Sequence, residues 1–171
     1  SDADAPIGIV LGTGLSHLAD RLQDRVVVPY ADLPGFPGSS VEGHAGAFVW
    51  GRFPGACGED DCVGRYALIQ QGRCHLYEGR SPAEVCMGVR VMAALGAKML
   101  IITNAAGGLN PQFDAGGIMC MTDIINNTGH SPLTGLNHEG WGPRFPDMCV
   151  PLDAELRALA LETAAKMNLR L

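Results

Sequence analysis

The pattern of apolar and polar positions divides the chain into alternating strands and helices. The β-branched, apolar run from Ile7 to Leu11 predicts a first strand, and the turn Gly12-Thr13-Gly14 ends it. Ser16 then predicts the N-cap of a helix that continues through Leu22. The opening of the chain is therefore expected to be strand, tight turn and helix.

Two further strands are predicted on either side of a turn rich in glycine and acidic residues. A loop rich in proline and glycine, from Pro29 to Gly46, comes first. Phe48 to Trp50 and Tyr66 to Gln70 then flank the turn at Gly55 to Gly64. We expect these two strands to pair as a hairpin.

The middle of the chain predicts a helix followed by a buried strand. Ser81-Pro82-Ala83-Glu84 has the N-cap, the N1 proline and the N3 glutamate of a capping box, and the helix should run to about Leu95, with Gly96 ending it. The apolar run from Lys98 to Thr103 is typical of a strand buried on both faces. It leads directly into a loop of small residues.

The last third predicts one more strand, from Ile118 to Ile125, an irregular stretch from Asn126 to Asp147, and a final helix with Asp153 as its N-cap. One face of that helix would consist of Leu156, Leu159, Ala160, Thr163 and Met167. The alternation predicts an α/β fold with a mixed, largely parallel central sheet flanked by helices, and residues 1–171 are expected to form a single domain.

Composition and charge exclude some classes of function. With 47% hydrophobic residues the chain can form a sizeable core, and its net charge of −6 argues against nucleic acid as a partner, which requires clustered positive charge. The six cysteines are scattered and mostly lie in apolar stretches, which favours a reducing, cytoplasmic location. Cys57 and Cys62 have no second pair at zinc-ligand spacing, so no metal is expected, and no run or leader predicts a membrane segment.

Two segments have residue types that suit an anion. At Gly12-Thr13-Gly14, backbone amides, the Thr13 hydroxyl and the positive end of the following helix could all point towards an anion. The alternative is that the turn serves only to connect a strand to a helix. Arg73, His75 and Tyr77 alternate along an extended chain and so would face one side, where the arginine fork matches phosphate oxygens. The alternative for these three is the solvated face of an edge strand.

A third segment, Thr103 to Pro111, places small residues at the carboxyl end of a strand, where open α/β sheets tend to bind ligands. The alternative is that close packing requires those small residues. His44 stands between glycines in Glu42-Gly43-His44-Ala45-Gly46, in a loop that could close over an anion, although a single histidine there is more often an ordinary surface residue.

Five motifs, taken together and in order over Ile7 to Asp153, resemble the signature of trimeric purine nucleoside phosphorylases. They are G-T-G-L, V-E-G-H-A-G, Q-G-R-C-H-L-Y-E-G, T-N-A-A-G-G-L-N-P and G-P-R-F-P-D-M. The resemblance implies that phosphate is bound by Thr13, Arg73, His75, the Ala105 amide and His44. It implies a catalytic role for His75, supported by His44 and Glu78. The implied nucleoside-binding residues are Tyr77, Asn104, Ala106, Gly107 and Phe145, the last of them reaching into a neighbouring subunit of a homotrimer.

The activity implied by the resemblance is phosphorolysis of inosine- or guanosine-type nucleosides to a free purine and ribose 1-phosphate, with inorganic phosphate as co-substrate and no cofactor. Relatives are expected to have a helix before the first strand and a longer segment after Leu171 that reads the base, so the chain is expected to be truncated at both ends. Two alternatives stay open: a methylthioadenosine phosphorylase-like enzyme, and an inactive phosphate- or nucleoside-binding fragment. A general nucleotide-binding protein is disfavoured because the Gly12 turn lacks a P-loop lysine.

Overall fold

The computed structural model describes residues 5–38, 46–55 and 64–171. Its described strands form one five-stranded sheet, in the spatial order β2-β3-β4-β1-β5. The strands are β1 (Ile7–Leu11), β2 (Gln23–Pro29), β3 (Ala47–Arg52), β4 (Tyr66–Gln71) and β5 (Met99–Ile102).

Strand direction divides the sheet into two parts. β1 is parallel to both of its neighbours, β4 and β5. β3 is antiparallel to both β2 and β4, and the β3–β4 pair is the predicted hairpin. The mixed α/β sheet is confirmed, and its parallel part is the trio β4, β1 and β5.

The helix after β4 begins as the sequence predicts. Ser81 accepts a hydrogen bond from the Glu84 backbone N–H, and the Glu84 carboxylate bonds back to the Ser81 backbone N–H, which completes the capping box. The helix is interrupted at Cys86, so that α1 (Pro82–Val85) and α2 (Met87–Ala94) follow one another.

Hydrophobic side chains pack on both faces of the sheet. One cluster joins the strands to the Ser16–Arg21 segment, and its buried members are Ile9, Leu11, Ala19, Leu22, Val49, Ala67 and Ile69. The other joins them to α2 through Met92, with Val10, Tyr30, Phe48 and Leu68. Burial on both faces explains why β1 and β4 are apolar throughout most of their length.

Three predictions for this part of the chain are wrong. A helix is present at Ser16–Arg21, of the 3₁₀ type, but its N-cap is Leu15, with no side-chain cap, rather than Ser16. The strand β2 occupies Gln23–Pro29, where no strand was predicted. β5 is at the sheet edge, and Leu100, Ile101 and Ile102 are 37–55% exposed rather than buried.

The chain divides into two compact units, Ser1–Ala105 and Ala106–Leu171. In the second unit, α3 (Ala154–Lys166) is capped by the Asp153 side chain, which accepts a hydrogen bond from the Leu156 N–H, as predicted. The strand predicted at Ile118 to Ile125 is absent from these described residues, which are irregular. The stretch from Asn126 to Asp147 is irregular as expected, apart from a 3₁₀ turn at Glu139–Trp141.

The predicted apolar face of α3 is not buried, since Leu159 and Met167 are 58% and 63% exposed and only Ala164 is buried on this helix. None of the described helices is both long and apolar enough to span a bilayer.

Candidate phosphate site

The candidate site lies where the three parallel strands end. Because β4, β1 and β5 run in the same direction, their carboxyl ends meet at one edge of the sheet. The residues that follow them are Arg73 after β4, Thr13 after β1, and Asn104 and Ala105 after β5. Three of the motifs found in the sequence therefore lead to the same edge, which is where open α/β sheets bind ligands.

Thr103 joins two of these strand ends. Its hydroxyl donates to the Val10 carbonyl at 3.1 Å and accepts the Gly12 backbone N–H at 2.8 Å, while its own N–H donates to Val10 at 3.0 Å. The threonine thus replaces the ladder hydrogen bonds beyond the end of β5. The turn that carries Thr13 is fixed against the start of the Asn104 loop.

Gly12 is required by the closeness of that contact. A Cβ at this position would lie 2.8 Å from the Thr103 carbonyl oxygen and 2.9 Å from the Asn104 Cα, both of them backbone atoms. Gly14, two residues later, has φ +84°, a conformation that glycine adopts without strain. The G-T-G turn is therefore set by close approach and by backbone conformation, and Thr13 is exposed between the two glycines.

Arg73 reaches the same junction from the third strand. One terminal guanidinium nitrogen donates to the Thr103 carbonyl oxygen at 2.6 Å. The planar fork of N–H donors in a guanidinium matches the geometry of phosphate oxygens. Thr103 is thus in contact with both Gly12 and Arg73, which follow β1 and β4, the two strands next in order from β5.

His75 is oriented by Glu78. The Glu78 carboxylate accepts the His75 backbone N–H at 2.7 Å and lies 2.9 Å from the ring Nδ1. Its side chain is only 5% exposed, so the carboxylate is a largely buried partner. A carboxylate at Nδ1 fixes the ring orientation and favours a proton on that nitrogen.

Tyr77 stacks on the His75 ring, with centroids 4.6 Å apart and an interplanar angle of 16°. The prediction of an extended chain at this point is wrong, because Leu76–Glu78 forms a 3₁₀ turn. The expected grouping of His75 with Tyr77 nevertheless occurs, through ring stacking rather than strand alternation. Tyr77 is 77% exposed, and one side of this aromatic pair faces solvent.

Some predicted site residues lie outside the described residues or in the second compact unit. His44 lies outside the described residues. Ala106, Gly107 and Phe145 belong to the second unit, where Phe145 is 87% exposed and the Arg144 guanidinium lies 5.8 Å from its ring centroid. Asn104 is exposed, and its side-chain amide donates to the Ala105 carbonyl at 3.3 Å.

Several residues near the site were not singled out in the sequence. The Gln71 side chain donates to the Ser16 carbonyl at 2.9 Å and so ties β4 to the segment after the G-T-G turn. His17 bonds through Nδ1 to the Gly14 carbonyl at 3.1 Å. The six-residue 3₁₀ helix that contains both Ser16 and His17 is too short to supply the macrodipole expected of an α-helix there.

Cys74 lies between Arg73 and His75 and is buried. Its Sγ is within hydrogen-bond distance of the Pro37 and Gly38 carbonyls, at 3.3 and 3.4 Å. Burial, together with the nearby Glu78 carboxylate, raises the pKa of the Cys74 thiol, which favours the thiol as donor.

Across the described residues, no group of three or more His, Cys, Asp or Glu side chains could hold a metal ion.

The chain is similar to known phosphorylases over almost its whole length. The model of the phosphorylase superfamily matches residues 6–171. Purine nucleoside phosphorylase 1 of Geobacillus stearothermophilus is 46% identical over 164 residues, which cover 96% of this chain and 57% of the relative.

Two solved structures from Schistosoma mansoni are similar in fold, each with a TM-score of 0.84 and 37% identity. One is a purine nucleoside phosphorylase in complex with inosine, of which the match covers 57%, and 99% of this chain. The other is isoform 2 in complex with cytosine and ribose-1-phosphate, with coverages of 57% and 98%. The chain therefore spans little more than half the length of the relatives it matches, and the resemblance found in the sequence is confirmed.

Proposed function

The chain belongs to the phosphorylase superfamily, and on that premise we propose that it carries the phosphate-binding part of a purine nucleoside phosphorylase. The proposed reaction converts an inosine- or guanosine-type nucleoside and inorganic phosphate into a free purine and ribose 1-phosphate. The observation that supports it most directly is the junction at Thr103, where the Gly12 turn and Arg73 meet.

In the proposed reaction a phosphate oxygen forms a bond to the anomeric carbon of the ribose while the bond from that carbon to the purine nitrogen breaks. The bonding electron pair leaves with the purine, which takes up one proton, and this balances the proton that hydrogen phosphate loses on becoming the ribose 1-phosphate dianion. Positive charge develops on the ribose, and the bound phosphate dianion stabilises it and is already in line for attack. The protein therefore has to hold and orient phosphate, without any covalent intermediate and with no cofactor.

The roles proposed for the residues follow from their positions. The Arg73 fork and the exposed Thr13 hydroxyl would donate to phosphate oxygens, with the Ala105 N–H beside them. His75, oriented by Glu78, would contribute a further donor, and its stack with Tyr77 would form an aromatic wall beside the ribose. His44, Asn104, Ala106, Gly107 and Phe145 keep the roles that the family resemblance implies, as proposals.

The proposal extends to assembly and location. The resemblance implies a homotrimer in which Phe145 of one subunit reaches the site of its neighbour. The four described cysteines are free, and this agrees with the proposed cytoplasmic location. Sedimentation analysis would test the trimer directly.

The function is tested by two measurements on the same preparations. Calorimetric titration with inorganic phosphate measures binding, and phosphate-dependent release of hypoxanthine from inosine measures turnover. The release assay uses both the chain itself and a chimera that adds the part of the Geobacillus stearothermophilus enzyme outside the match. We expect phosphate to bind, and Arg73→Ala to weaken that binding about 10- to 100-fold, because charge-assisted hydrogen bonds are lost.

The matched control is Arg25→Ala, which removes a guanidinium whose described ion pair, with Asp20, lies on the surface. It should leave phosphate affinity unchanged. Equal affinity in the two arginine variants would reject the assigned site. Binding without hypoxanthine release, in the chimera as well as in the chain, would instead indicate a phosphate-binding protein without turnover.

A further inference from the structure

A buried polar cluster lies directly behind the candidate phosphate site. Tyr30 and Gln70 are 3% and 4% exposed, and their side chains hydrogen-bond to one another. The Tyr30 hydroxyl also donates to the Gly72 carbonyl oxygen at 2.5 Å. Such a polar group would be costly to bury without partners, and the partner here is the peptide unit immediately before Arg73.

Gly72 is the point at which the chain turns out of β4 towards the site. Its φ of +91° lies in the region that favours glycine, so this residue is the least restricted link between the strand and Arg73. The Tyr30 hydroxyl is bonded to its carbonyl and therefore fixes the peptide plane that a glycine would otherwise leave free to rotate. The direction in which Arg73 leaves the sheet depends on that plane.

Tyr30 is itself held rigidly enough to act as a fixed point. Its ring contacts those of Phe36 and Phe48, at centroid distances of 4.6 and 5.3 Å, and its backbone N–H donates to the Gly46 carbonyl at 2.8 Å. Burial raises the pKa of the Tyr30 hydroxyl well above its ordinary value, and the group therefore stays a neutral donor at any working pH.

Gly88 of α2 supports the cluster from the opposite side. A Cβ at this position would lie 2.2 Å from the Gln70 Oε1 and 2.4 Å from its Nε2. The helix therefore packs directly on the Gln70 amide, which is held between Gly88 and Tyr30.

We infer that Tyr30 is a positioning residue for phosphate binding: through its hydrogen bond to Gly72 it sets the orientation in which Arg73 meets the anion. This inference rests on the proposed function, because it assigns Arg73 to phosphate. It adds a buried residue that is not among the proposed phosphate donors and lies 42 positions before Gly72 in the chain.

The test is Tyr30→Phe, which removes the hydroxyl and keeps the ring packing. Its matched control is Tyr66→Phe, the same change at the other end of β4, where Tyr66 stacks on Trp50 and is 45% exposed. Titration with inorganic phosphate should show affinity about three- to tenfold weaker in Tyr30→Phe and unchanged in Tyr66→Phe, which corresponds to one lost buried hydrogen bond. Thermal unfolding of both variants is measured alongside.

A merely structural role would lower the unfolding temperature of Tyr30→Phe while the folded protein kept its phosphate affinity, and that result would overturn the inference. A second variant, Gly88→Ala, disturbs the same cluster through Gln70 and should weaken phosphate binding in the same direction. If Arg73→Ala loses phosphate while both of these variants bind it normally, the inference fails and the proposed function stands. If the unsubstituted protein does not bind phosphate, both fail.

Discussion

The Thr103 hydroxyl accepts a hydrogen bond from the backbone N–H of Gly12 at 2.8 Å, across 91 positions of sequence. This bond connects the carboxyl ends of two parallel strands, β1 and β5, just beyond the last ladder pair. A side chain takes over at the point where the backbone ladder ends. The spacing between the Thr13 turn and the Asn104 loop is therefore determined by a threonine.

Replacing Thr103 by valine should destabilise the protein and weaken phosphate binding together. Valine has the same shape but leaves the buried Gly12 N–H without its acceptor, at a cost of about 1–3 kcal/mol in the free energy of unfolding. Denaturant unfolding and phosphate titration measure the two effects. Thr103→Ser keeps the hydroxyl and should retain most of the affinity; a serine variant as weak as the valine variant would show that the hydroxyl alone does not maintain the affinity, and would contradict the hydrogen-bond explanation.

Gly12→Ala should destabilise the protein by overpacking rather than by the loss of a hydrogen bond. The added Cβ would meet the Thr103 carbonyl oxygen at 2.8 Å and the Asn104 Cα at 2.9 Å, and backbone atoms on both sides have to move apart. We expect the unfolding free energy to fall by about 1–3 kcal/mol, as for an overpacked site, and phosphate binding to be lost. The matched control is Gly140→Ala, where a Cβ meets nothing within 4 Å. Equal stability of the two variants would contradict the close packing.

The family resemblance predicted phosphate-binding roles for Thr13, Arg73 and Ala105, and these roles stay predictions. In the structure each of the three follows one of the parallel strands, so all three lie at one edge of the sheet. The role of Thr103 could not be read in the same way, because a threonine at the end of an apolar run is equally consistent with a β-branched strand residue. Tyr30 lay in a stretch assigned to a loop, where nothing indicates that a tyrosine is buried.

The errors in the fold have a common physical origin. The segment Gln23–Pro29 is a strand because β3 pairs with it, in spite of a bulge and an Asp24 with φ 51°, and its own exposed, polar start gives little alternation to detect. Conversely, Ile118 to Ile125 is apolar enough for a strand but has no paired neighbour among the described residues. Strand formation depends on a partner that local pattern does not identify.

The capping box at the start of α1 should make stability depend on pH in the acid range. Hydrogen bonds from the Ser81 backbone and side chain lower the pKa of the Glu84 carboxyl below its ordinary value of 4.5. A lowered folded-state pKa means that the stabilisation is complete above pH 4.5 and is lost as the pH falls through the folded value. Denaturant unfolding at about pH 7 and about pH 3 should therefore show a smaller loss in Glu84→Gln than in the unsubstituted protein. Identical losses would show that the cap does not depend on the ionised carboxylate.

Cys74 should be the slowest of the described cysteines to react with alkylating agents, although it adjoins two phosphate-site residues. Its thiol is buried, its pKa is raised by that burial, and its Sγ is within hydrogen-bond distance of the Pro37 and Gly38 carbonyls, while Cys149 is exposed. Treatment with iodoacetamide followed by peptide mass spectrometry should show Cys149 modified at least about tenfold faster, because Cys74 reacts only when the structure opens locally. Raising the pH should accelerate Cys149 more than Cys74, since opening rather than thiolate formation limits the buried residue. Comparable rates would mean that Pro37 and Gly38 do not cover Cys74 in solution.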